Sequence, residues 1–319
     1  MKVLVTGAGG FAGRHLVDYL LTQGDQVVAA FEHQGQIPPP ARNLLPLVFD
    51  ITNDQAVSGA LQAHEVDAAI HLAAIAFVPS VDKKPGRAMA VNVGGTAALL
   101  NAIKSHRPRA RILLISSAEV YGRSAGEGNA LTESDPLQPV NLYAQTKLLV
   151  EQLARWFAEH DGLDIIVARP FPHLGPGQDP VFSVSGFARQ LATIAADQAK
   201  PVLHVGNLSV RRDFTDVRDV VRAYRTALEK LPPGATFNIC SGRDYLLSDL
   251  VELLIRESRV SVKVEVSQSR LRSNDLFFLR GSADYLYRQT GWRPEVPIEQ
   301  TLRDIYQYWR GQPRESCQP

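Results

Sequence analysis

Residues 2–13 read KVLVTGAGGFAG, and this stretch decides the fold class. Residues 2–6 form a short β-branched run without alternation, which is typical of a strand buried on both faces of a parallel sheet. Three glycines follow at once, and residues 11–23 then carry apolar side chains at helical spacing. In this setting the first glycine permits a tight turn, the second lets the backbone approach a pyrophosphate, and the third lets helix and strand pack closely. The stretch predicts a dinucleotide-binding turn, against the alternative of a plain βα turn, and its cofactor-binding residues are Gly7, Gly10, Phe11 and Gly13.

Strand-like runs recur along the first half of the chain, mostly separated by segments long enough for a crossover helix. They fall at residues 26–31, 47–50, 68–72, 111–117 and 165–169. Because right-handed crossovers wind such strands into one sheet, the pattern predicts an α/β fold with a Rossmann-type doubly wound parallel sheet. A smaller, discontinuous C-terminal α/β substrate domain is expected beside it.

The rhythm of strands and helices changes after Arg169. The segment RPFPHLGPGQDP, residues 169–180, is rich in Pro and Gly and must leave the sheet as a loop. The later run FNIC, residues 237–240, again has the pattern of a core strand. We therefore predict an NAD(P)-binding Rossmann domain at 1–170 with 214–241 returning to it, a substrate-binding domain at 171–213 and 242–310, and a tail at 311–319.

Composition excludes several classes of protein. The 319 residues include 34 Lys plus Arg and 33 Asp plus Glu, a formal charge of +1, with no basic block for nucleic acid. The two cysteines, Cys240 and Cys317, are far apart and form no Cys/His grouping, so neither a disulfide framework nor a metal site is expected. The first strand breaks at glycine before a signal-peptide core can form, and no apolar stretch reaches the roughly 18 residues of a membrane span. We expect a cytoplasmic protein with no membrane partner.

The end of the second predicted strand selects the cofactor in such folds, because a carboxylate there accepts ribose hydroxyls and repels a 2′-phosphate. Glu32 stands at this position, and neither Arg nor Lys follows in the next few residues. We expect NAD(H) or NADP(H), with NAD(H) favoured; a solvated loop glutamate is the alternative for Glu32. Asp50 ends the third predicted strand and is expected to reach the adenine edge, with Ile51 beneath the ring, although a helix N-cap role competes for Asp50.

Three polar residues predict a catalytic group. Tyr143 and Lys147 are four residues apart in a segment with helical spacing, so both side chains leave one helix face. A phenol has a pKa of about 10, and an adjacent ammonium lowers it toward the working range. Ser117 ends another predicted strand, where ligands of open α/β sheets bind, and its hydroxyl can orient the same substrate oxygen. The alternative is a helix-surface Tyr–Lys pair without chemistry.

The motifs TGAGGFAG, HLAA, NVGGT, SSAEVYG and YAQTK stand in the order found in extended short-chain dehydrogenases/reductases, which the chain resembles over nearly its whole length. The resemblance implies NAD(P) bound to a Rossmann domain and oxidation or reduction at the C4 atom of a nucleotide-linked sugar. It also implies that Tyr143 is the acid/base, that Lys147 lowers its pKa and holds the nicotinamide ribose, and that Ser117 polarises the carbonyl. By the same resemblance the cofactor is bordered by Leu72, Ala73, Ala74 and Asn92; a capping or loop role is open for Asn92.

The C-terminal half narrows this resemblance. RPFPHLGPGQ, VGNLSVRRDFTDVRDVVRAY and TGWRPEVPIEQTL are most similar to GDP-6-deoxy-D-mannose reductases and less so to GDP-mannose 4,6-dehydratases. The substrate-binding residues implied are Ser117, Tyr143, His173, Arg212 and Arg272, the two arginines gripping the diphosphate or, alternatively, being surface residues. Pro172 departs from the asparagine usual in relatives and supplies no polar side chain.

Glu119 keeps two interpretations, a catalytic base that removes a proton α to the ketone and a structural carboxylate. The resemblance implies NAD(P)H-dependent reduction of the C4 ketone of a GDP-4-dehydro-6-deoxy-hexose, giving GDP-D-rhamnose or a related GDP-6-deoxy sugar. The alternatives are a nucleotide-sugar 4-epimerase or 4,6-dehydratase and, from another class, a non-catalytic dinucleotide-sensing protein. Relatives also pair through the helix that carries Tyr143, so a homodimer is expected.

Overall fold

The computed structural model describes residues 1–126, 128–270 and 276–312. Its strands are β1 (Lys2–Thr6), β2 (Gln26–Phe31), β3 (Leu44–Val48), β4 (Ala68–His71), β5 (Arg111–Ile115), β6 (Ile165–Pro170), β7 (His173–Leu174), β8 (Val202–Val205), β9 (Arg211–Asp213), β10 (Thr215–Asp216), β11 (Thr236–Ile239), β12 (Asp244–Leu246), β13 (Lys263–Val266) and β14 (Phe278–Leu279). Its α-helices are α1 (Phe11–Thr22), α2 (Asp54–Ala63), α3 (Val78–Lys83), α4 (Pro85–Met89), α5 (Gly95–His106), α6 (Leu142–Asp161), α7 (Ser183–Ala195), α8 (Val217–Lys230), α9 (Leu247–Ser258), α10 (Asp284–Thr290) and α11 (Ile298–Gly311).

The main sheet has seven strands in the order β11–β6–β5–β4–β1–β2–β3, and every neighbouring pair is parallel. Its strands are nearly continuous apolar runs because helices cover both faces. One core joins the sheet to α1 and α8, and a second joins it to α2, α5 and α6. The sheet reverses its direction of winding between β1 and β4, which is where open α/β sheets bind ligands. The predicted Rossmann-type doubly wound fold is confirmed.

The third strand differs from the prediction of 47–50, since β3 runs over Leu44–Val48. Pro46 lies inside it and pairs in register with Ala29 of β2. A proline donates no ladder hydrogen bond and is tolerated on an edge strand, and β3 is the edge of this sheet. Pro46 interrupts the apolar run LLPLV, so the sequence pattern alone did not extend the strand back to Leu44.

The C-terminal half contributes one strand to the main sheet and also forms small sheets of its own. Thr236–Ile239 returns as β11 and pairs with β6 at the other edge of the main sheet. The remaining strands form small sheets, β12–β9–β14, β13–β8 and β10–β7. A separate apolar core lies among α7, α9 and α11 and includes Phe187, Leu250 and Ile305. In the described part of the chain, no helix is both long and apolar enough to cross a membrane.

Candidate active site

The turn after β1 is shaped for a closely approaching anion. Gly7 has φ +69, and a Cβ atom there would lie 2.7 Å from the backbone nitrogen of Ala73. A Cβ at Gly13 would lie 2.1 Å from the carbonyl oxygen of Gly7, so helix and strand pack too closely for any larger residue. Gly10 is the N-cap of α1 and makes no side-chain capping bond, which leaves first-turn N–H groups and the positive end of the helix dipole open to a phosphate. These features fit a dinucleotide pyrophosphate.

The loop after β4 closes over this turn. The N–H of Leu72 donates to the carbonyl of Thr6 at 3.2 Å, and the N–H of Ala73 donates to the Thr6 hydroxyl at 3.4 Å. His71 lies beneath them, 4% exposed, with Nδ1 2.7 Å from the Thr6 hydroxyl and Nε2 3.0 Å from that of Thr96. The loop that continues through Ala74 is therefore anchored at the carboxyl end of the sheet.

Asn92 lies in a π-helical turn, Ala90–Gly94, and is buried. Its Oδ1 accepts from the N–H of Ile75 at 2.8 Å, and its Nδ2 donates to the Ile75 carbonyl at 3.1 Å and to the Thr146 hydroxyl at 3.0 Å. The side chain therefore ties the loop after β4 to α6, the helix that carries Tyr143. The sequence left open whether Asn92 borders the cofactor or has a capping or loop role. These contacts favour a role in holding the loop.

Ser117, Tyr143 and Lys147 meet at the carboxyl edge of the sheet. Ser117 is the N-cap of the 3₁₀ turn Ala118–Tyr121 that follows β5, and its hydroxyl makes a hydrogen bond with Tyr143. Lys147 Nζ donates to the carbonyl of Ile115 at 2.7 Å and lies 6.0 Å from the centroid of the Tyr143 ring. The helical spacing of Tyr143 and Lys147 thus brings both to the end of β5.

The electrostatics of this trio differ from the expectation that Lys147 lowers the pKa of Tyr143. Burial raises the pKa of Tyr143 to about 12, opposed by the hydrogen bond with Ser117 and reinforced by the charge of Glu119. Burial also lowers the pKa of Lys147 to about 8. The Lys147 ammonium is directed at the Ile115 carbonyl. In the protein without ligands it is therefore not the group that determines the pKa of Tyr143. Tyr143 is therefore held in its protonated form, the form that donates a proton.

Glu119 is half-buried beside this trio. Its Oε2 accepts a hydrogen bond from Nδ2 of Asn141 at 3.1 Å, and Asn141 is also the N-cap of α6, accepting from the N–H of Ala144 at 2.8 Å. The carboxylate is therefore joined to the start of the catalytic helix by a side-chain amide. Both interpretations of Glu119 stay open, since the carboxylate is close enough to Tyr143 to affect its pKa.

Glu32 and Asp50 follow β2 and β3 at the same sheet edge, and the structure adds Arg87 between them. Arg87 Nη2 lies 3.1 Å from Asp50 Oδ2 and 3.6 Å from Glu32 Oε1. Asp50 is also held by the N–H and hydroxyl of Thr52, at 2.9 and 2.8 Å. Those bonds, with Arg87, lower the pKa of Asp50. Ile51 is buried beneath this cluster. The sequence around Glu32 did not reveal Arg87, because this arginine lies on α4, much later in the chain.

The predicted substrate-binding residues lie in different parts of the chain's structure. The His173 ring stacks on Phe11 at 5.9 Å between centroids and 9° between planes, which brings the loop after β6 onto the glycine turn. Arg212 lies on β9, where its Nη1 donates to the carbonyl of Arg211 at 2.9 Å. Arg272 and residues 313–319, most of the predicted tail, lie outside the described residues.

A buried ion pair behind the trio was not singled out from the sequence. Arg169 donates to both carboxylate oxygens of Glu151, at 3.0 and 2.7 Å, and Ser116 donates to the same carboxylate at 2.5 Å. Both charged side chains are about nine-tenths buried, with exposures of 7% and 10%. Glu151 stands one turn after Lys147 on α6, and this spacing was the available signal.

Across residues 1–126, 128–270 and 276–312, no group of three or more His, Cys, Asp or Glu side chains is arranged to hold a metal ion.

Comparison with known proteins identifies the family of the chain. The profile of the GDP-mannose 4,6 dehydratase family matches residues 4–305. The GDP-6-deoxy-D-mannose reductase of Pseudomonas aeruginosa is 36% identical over 314 residues, 98% of this chain and 99% of the relative. The GDP-6-deoxy-D-talose 4-dehydrogenase of Aggregatibacter actinomycetemcomitans is 30% identical over 296 residues, 91% of this chain and 92% of the relative.

Among solved structures, RMD from Pseudomonas aeruginosa complexed with NADPH superposes with a TM-score of 0.86 at 34% identity, covering 97% of this chain and 98% of that one. Similarity extends over both the sheet that carries the glycine turn and the C-terminal half. The chain therefore belongs to the GDP-mannose 4,6-dehydratase family of extended short-chain dehydrogenases/reductases.

Proposed function

We propose that the protein is an NAD(P)H-dependent reductase of the C4 ketone of a GDP-4-dehydro-6-deoxy-hexose, with GDP-D-rhamnose or a related GDP-6-deoxy sugar as product. The observation that carries the proposal is the meeting of Ser117, Tyr143 and Lys147 at the sheet edge beside an uncapped glycine turn. The two GDP-sugar oxidoreductases among the relatives support the choice of nucleotide and sugar.

The site residues divide the work of such a reduction. A bound reduced nicotinamide supplies the hydride that adds to C4. Tyr143, protonated because burial raises its pKa, donates the proton that the carbonyl oxygen takes up, and the Ser117 hydroxyl orients that oxygen. We expect the Lys147 ammonium to bind a hydroxyl of the nicotinamide ribose once the cofactor is bound. Its positive charge then lowers the pKa of the Tyr143 phenol. A neutral ketone thus gains one hydride and one proton and becomes a hydroxyl group.

The residues that hold the two ligands follow from their positions. We propose that the cofactor pyrophosphate lies at Gly7, Gly10, Phe11 and Gly13 and that the adenosine end lies at Glu32, Asp50 and Ile51. The nicotinamide end lies along Leu72, Ala73, Ala74 and Asn92, towards Tyr143 and Lys147. The sugar nucleotide then extends from Ser117 past His173 toward Arg212 and Arg272, whose guanidinium groups suit a diphosphate.

The same proposal divides the chain into a cofactor domain at 1–170 with 214–241, and a substrate domain at 171–213 and 242–310. Pairing of Thr236–Ile239 with β6 supports the return of the late segment to the first domain. The separate apolar core among α7, α9 and α11 supports a second unit. A ligand held between these units contacts residues of both.

A second candidate, a nucleotide-sugar 4-epimerase or 4,6-dehydratase, is favoured by one observation. Glu119 carries a carboxylate near Tyr143, where it can remove a proton from the carbon next to a ketone. Such enzymes retain the cofactor through the reaction, whereas a reductase consumes it. The non-catalytic dinucleotide sensor has no corresponding support, because a sensor does not need Ser117, Tyr143 and Lys147 at one point.

The test is a panel of nucleotide sugars. GDP-4-dehydro-6-deoxy-D-mannose and the dTDP-linked 4-keto analogue are each incubated with NADH or NADPH, and UDP-glucose with NAD⁺, while absorbance of the reduced cofactor is followed and products are separated. We expect rapid cofactor oxidation with the GDP-linked ketone, much slower oxidation with the dTDP-linked ketone, and no conversion of UDP-glucose. Conversion of UDP-glucose to its 4-epimer, or no conversion of any 4-keto sugar, would overturn the proposal.

A further inference from the structure

Arg87 is the cation at the adenosine end of the cofactor site. It is the third residue of α4, a short helix that begins at Pro85, and it reaches back to the ends of β2 and β3. Its guanidinium contacts the carboxylates of Glu32 and Asp50, and Nη1 lies 3.5 Å from the Thr52 hydroxyl. The His33 ring lies on the other side of Glu32, with Nε2 3.8 Å from Oε1.

The Asp50 carboxylate and the backbone of Glu32 do not depend on Arg87 for their positions. Asp50 is anchored by the N–H and hydroxyl of Thr52, and the N–H of Glu32 donates to Oε1 of Gln36 at 3.3 Å. Removing the arginine therefore leaves the neighbouring backbone and Asp50 held by other bonds. The ion pairs of Arg87 are extra contacts that a ligand can replace.

The exposure of these side chains makes such a replacement favourable. Arg87 is 42% exposed, Glu32 is 56% exposed and Asp50 is 43% exposed. Exposed ion pairs contribute little to stability, because water and salt screen them. Bonds from a guanidinium to a phosphate are charge-assisted and often bidentate, and they are stronger. A phosphate group bound here can therefore replace the two carboxylates as the partner of the Arg87 guanidinium.

We propose that Arg87 binds the 2′-phosphate of NADP(H) and so decides the ratio between the two cofactors. The inference rests on the cofactor position proposed above. Glu32 opposes the phosphate and accepts the ribose hydroxyls of NAD(H), so the pair Glu32–Arg87 gives a site that takes both cofactors. The preference for NAD(H) expected from Glu32 alone is thereby offset by a residue from a different element.

The test uses two ligands that differ only in the 2′-phosphate and carry no nicotinamide, 2′,5′-ADP and 5′-AMP. Their dissociation constants are measured by titration calorimetry for the unmodified protein, Arg87→Ala and Lys84→Ala. Lys84 is the matched control, because it is an exposed cation three residues earlier in the chain that makes no side-chain capping bond to α4. NADPH and NADH dissociation constants are measured by the same method.

We expect Arg87→Ala to weaken the binding of 2′,5′-ADP and NADPH at least tenfold and to change the binding of 5′-AMP and NADH less than twofold. Lys84→Ala is expected to change all four less than twofold, and Arg87→Lys should lose less than Arg87→Ala. Equal weakening of both ligands in Arg87→Ala would overturn the proposal, because Arg87 would then only position the ribose-binding carboxylates. No weakening of either ligand would overturn it as well. Failure of the unmodified protein to bind 5′-AMP would instead contradict the proposed cofactor site itself.

Discussion

The proposed reaction requires the hydroxyl of Tyr143 as its proton donor. We expect Tyr143→Phe to lose turnover at least about a hundredfold, the usual contribution of a positioned acid, because only the proton path is removed. Steady-state rates and circular dichroism measure the two effects. Tyr287→Phe is the control, since Tyr287 is exposed on α10 and should keep full turnover. A folded Tyr143→Phe variant with near-normal turnover would contradict the assigned acid.

His71 has both ring nitrogens committed, and the pattern of donors identifies its tautomer. The Thr96 hydroxyl donates to the carbonyl of Asn92 at 2.6 Å, so it can only accept from Nε2–H of His71. With the proton on Nε2, Nδ1 of the neutral ring accepts, and the Thr6 hydroxyl, which accepts from the N–H of Ala73, donates to it. Protonation of Nδ1 would break that arrangement. Burial first, and then the charge of Lys147, lower the pKa of His71 to about 3.

This shift predicts acid sensitivity. Since the pKa of His71 falls from 6.5 to about 3 on folding, the unfolded chain binds one more proton between those values, and stability is lost as pH falls below 6.5. From pH 7 to pH 5 the contribution is about 2 kcal/mol. Urea unfolding at a series of pH values, for the unmodified protein and His71→Gln, measures it. We expect a shallower pH dependence in His71→Gln; parallel curves would refute the assignment.

Helix α6 is held to the sheet by more than its apolar face. The buried pair of Glu151 and Arg169 joins it to β6, and Ser116 joins the same carboxylate to the end of β5. Arg169 Nη1 also donates to the hydroxyl of Tyr121 at 3.1 Å. Glu151 thus fixes the turn of α6 that follows Lys147 against the strand end that carries Ser117.

Breaking this pair one partner at a time tests its role. Arg169→Met or Glu151→Leu alone leaves a buried charge without its partner, and each is expected to cost about 3–5 kcal/mol of unfolding free energy. The double variant should cost clearly less than the sum, because no unpaired charge remains. Urea denaturation of the four proteins completes the cycle. Strictly additive losses would show that the two groups are not coupled.

The elements near the N-terminus were predictable because their signals are local. The β1–α1 unit follows from glycine spacing, and the shared face of Tyr143 and Lys147 follows from the helical period. The boundaries of β3 were not predictable from the same pattern, because Pro46 interrupts its apolar run LLPLV and a proline argues against a strand except at a sheet edge. Local rules therefore located the buried elements well and the exposed strand less well.

The contacts between distant residues were beyond such rules. Arg87 meets Asp50 across 37 positions, and His71 meets Thr6 across 65. These pairings depend on how α4 and the loop after β4 pack, which a single sequence does not encode at any fixed spacing. The direction of Lys147 toward the Ile115 carbonyl and the burial that raises the pKa of Tyr143 are likewise results of packing.

At the scale of the whole molecule, α6 presents an apolar stripe to solvent. Leu149 and Leu153 are half-buried, and Trp156 is 57% exposed and stacks on His160 at 3.8 Å between ring centroids. We propose that two chains pair through this stripe. Light scattering at micromolar concentration should give twice the mass of one chain, and Trp156→Glu should shift it toward the monomer. Phe277→Glu, at another exposed apolar residue, is the control; a monomeric unmodified protein would contradict the pairing.

The central claim is that the protein consumes its reduced cofactor. The most direct measurement mixes a limiting amount of GDP-4-dehydro-6-deoxy-D-mannose with excess NADPH or NADH and determines cofactor oxidised and sugar nucleotide formed at completion. A reductase gives equal molar amounts of the two, and Tyr143→Phe gives neither over the same time. Conversion of the sugar nucleotide with no net loss of reduced cofactor would contradict reduction and identify an enzyme that retains its cofactor.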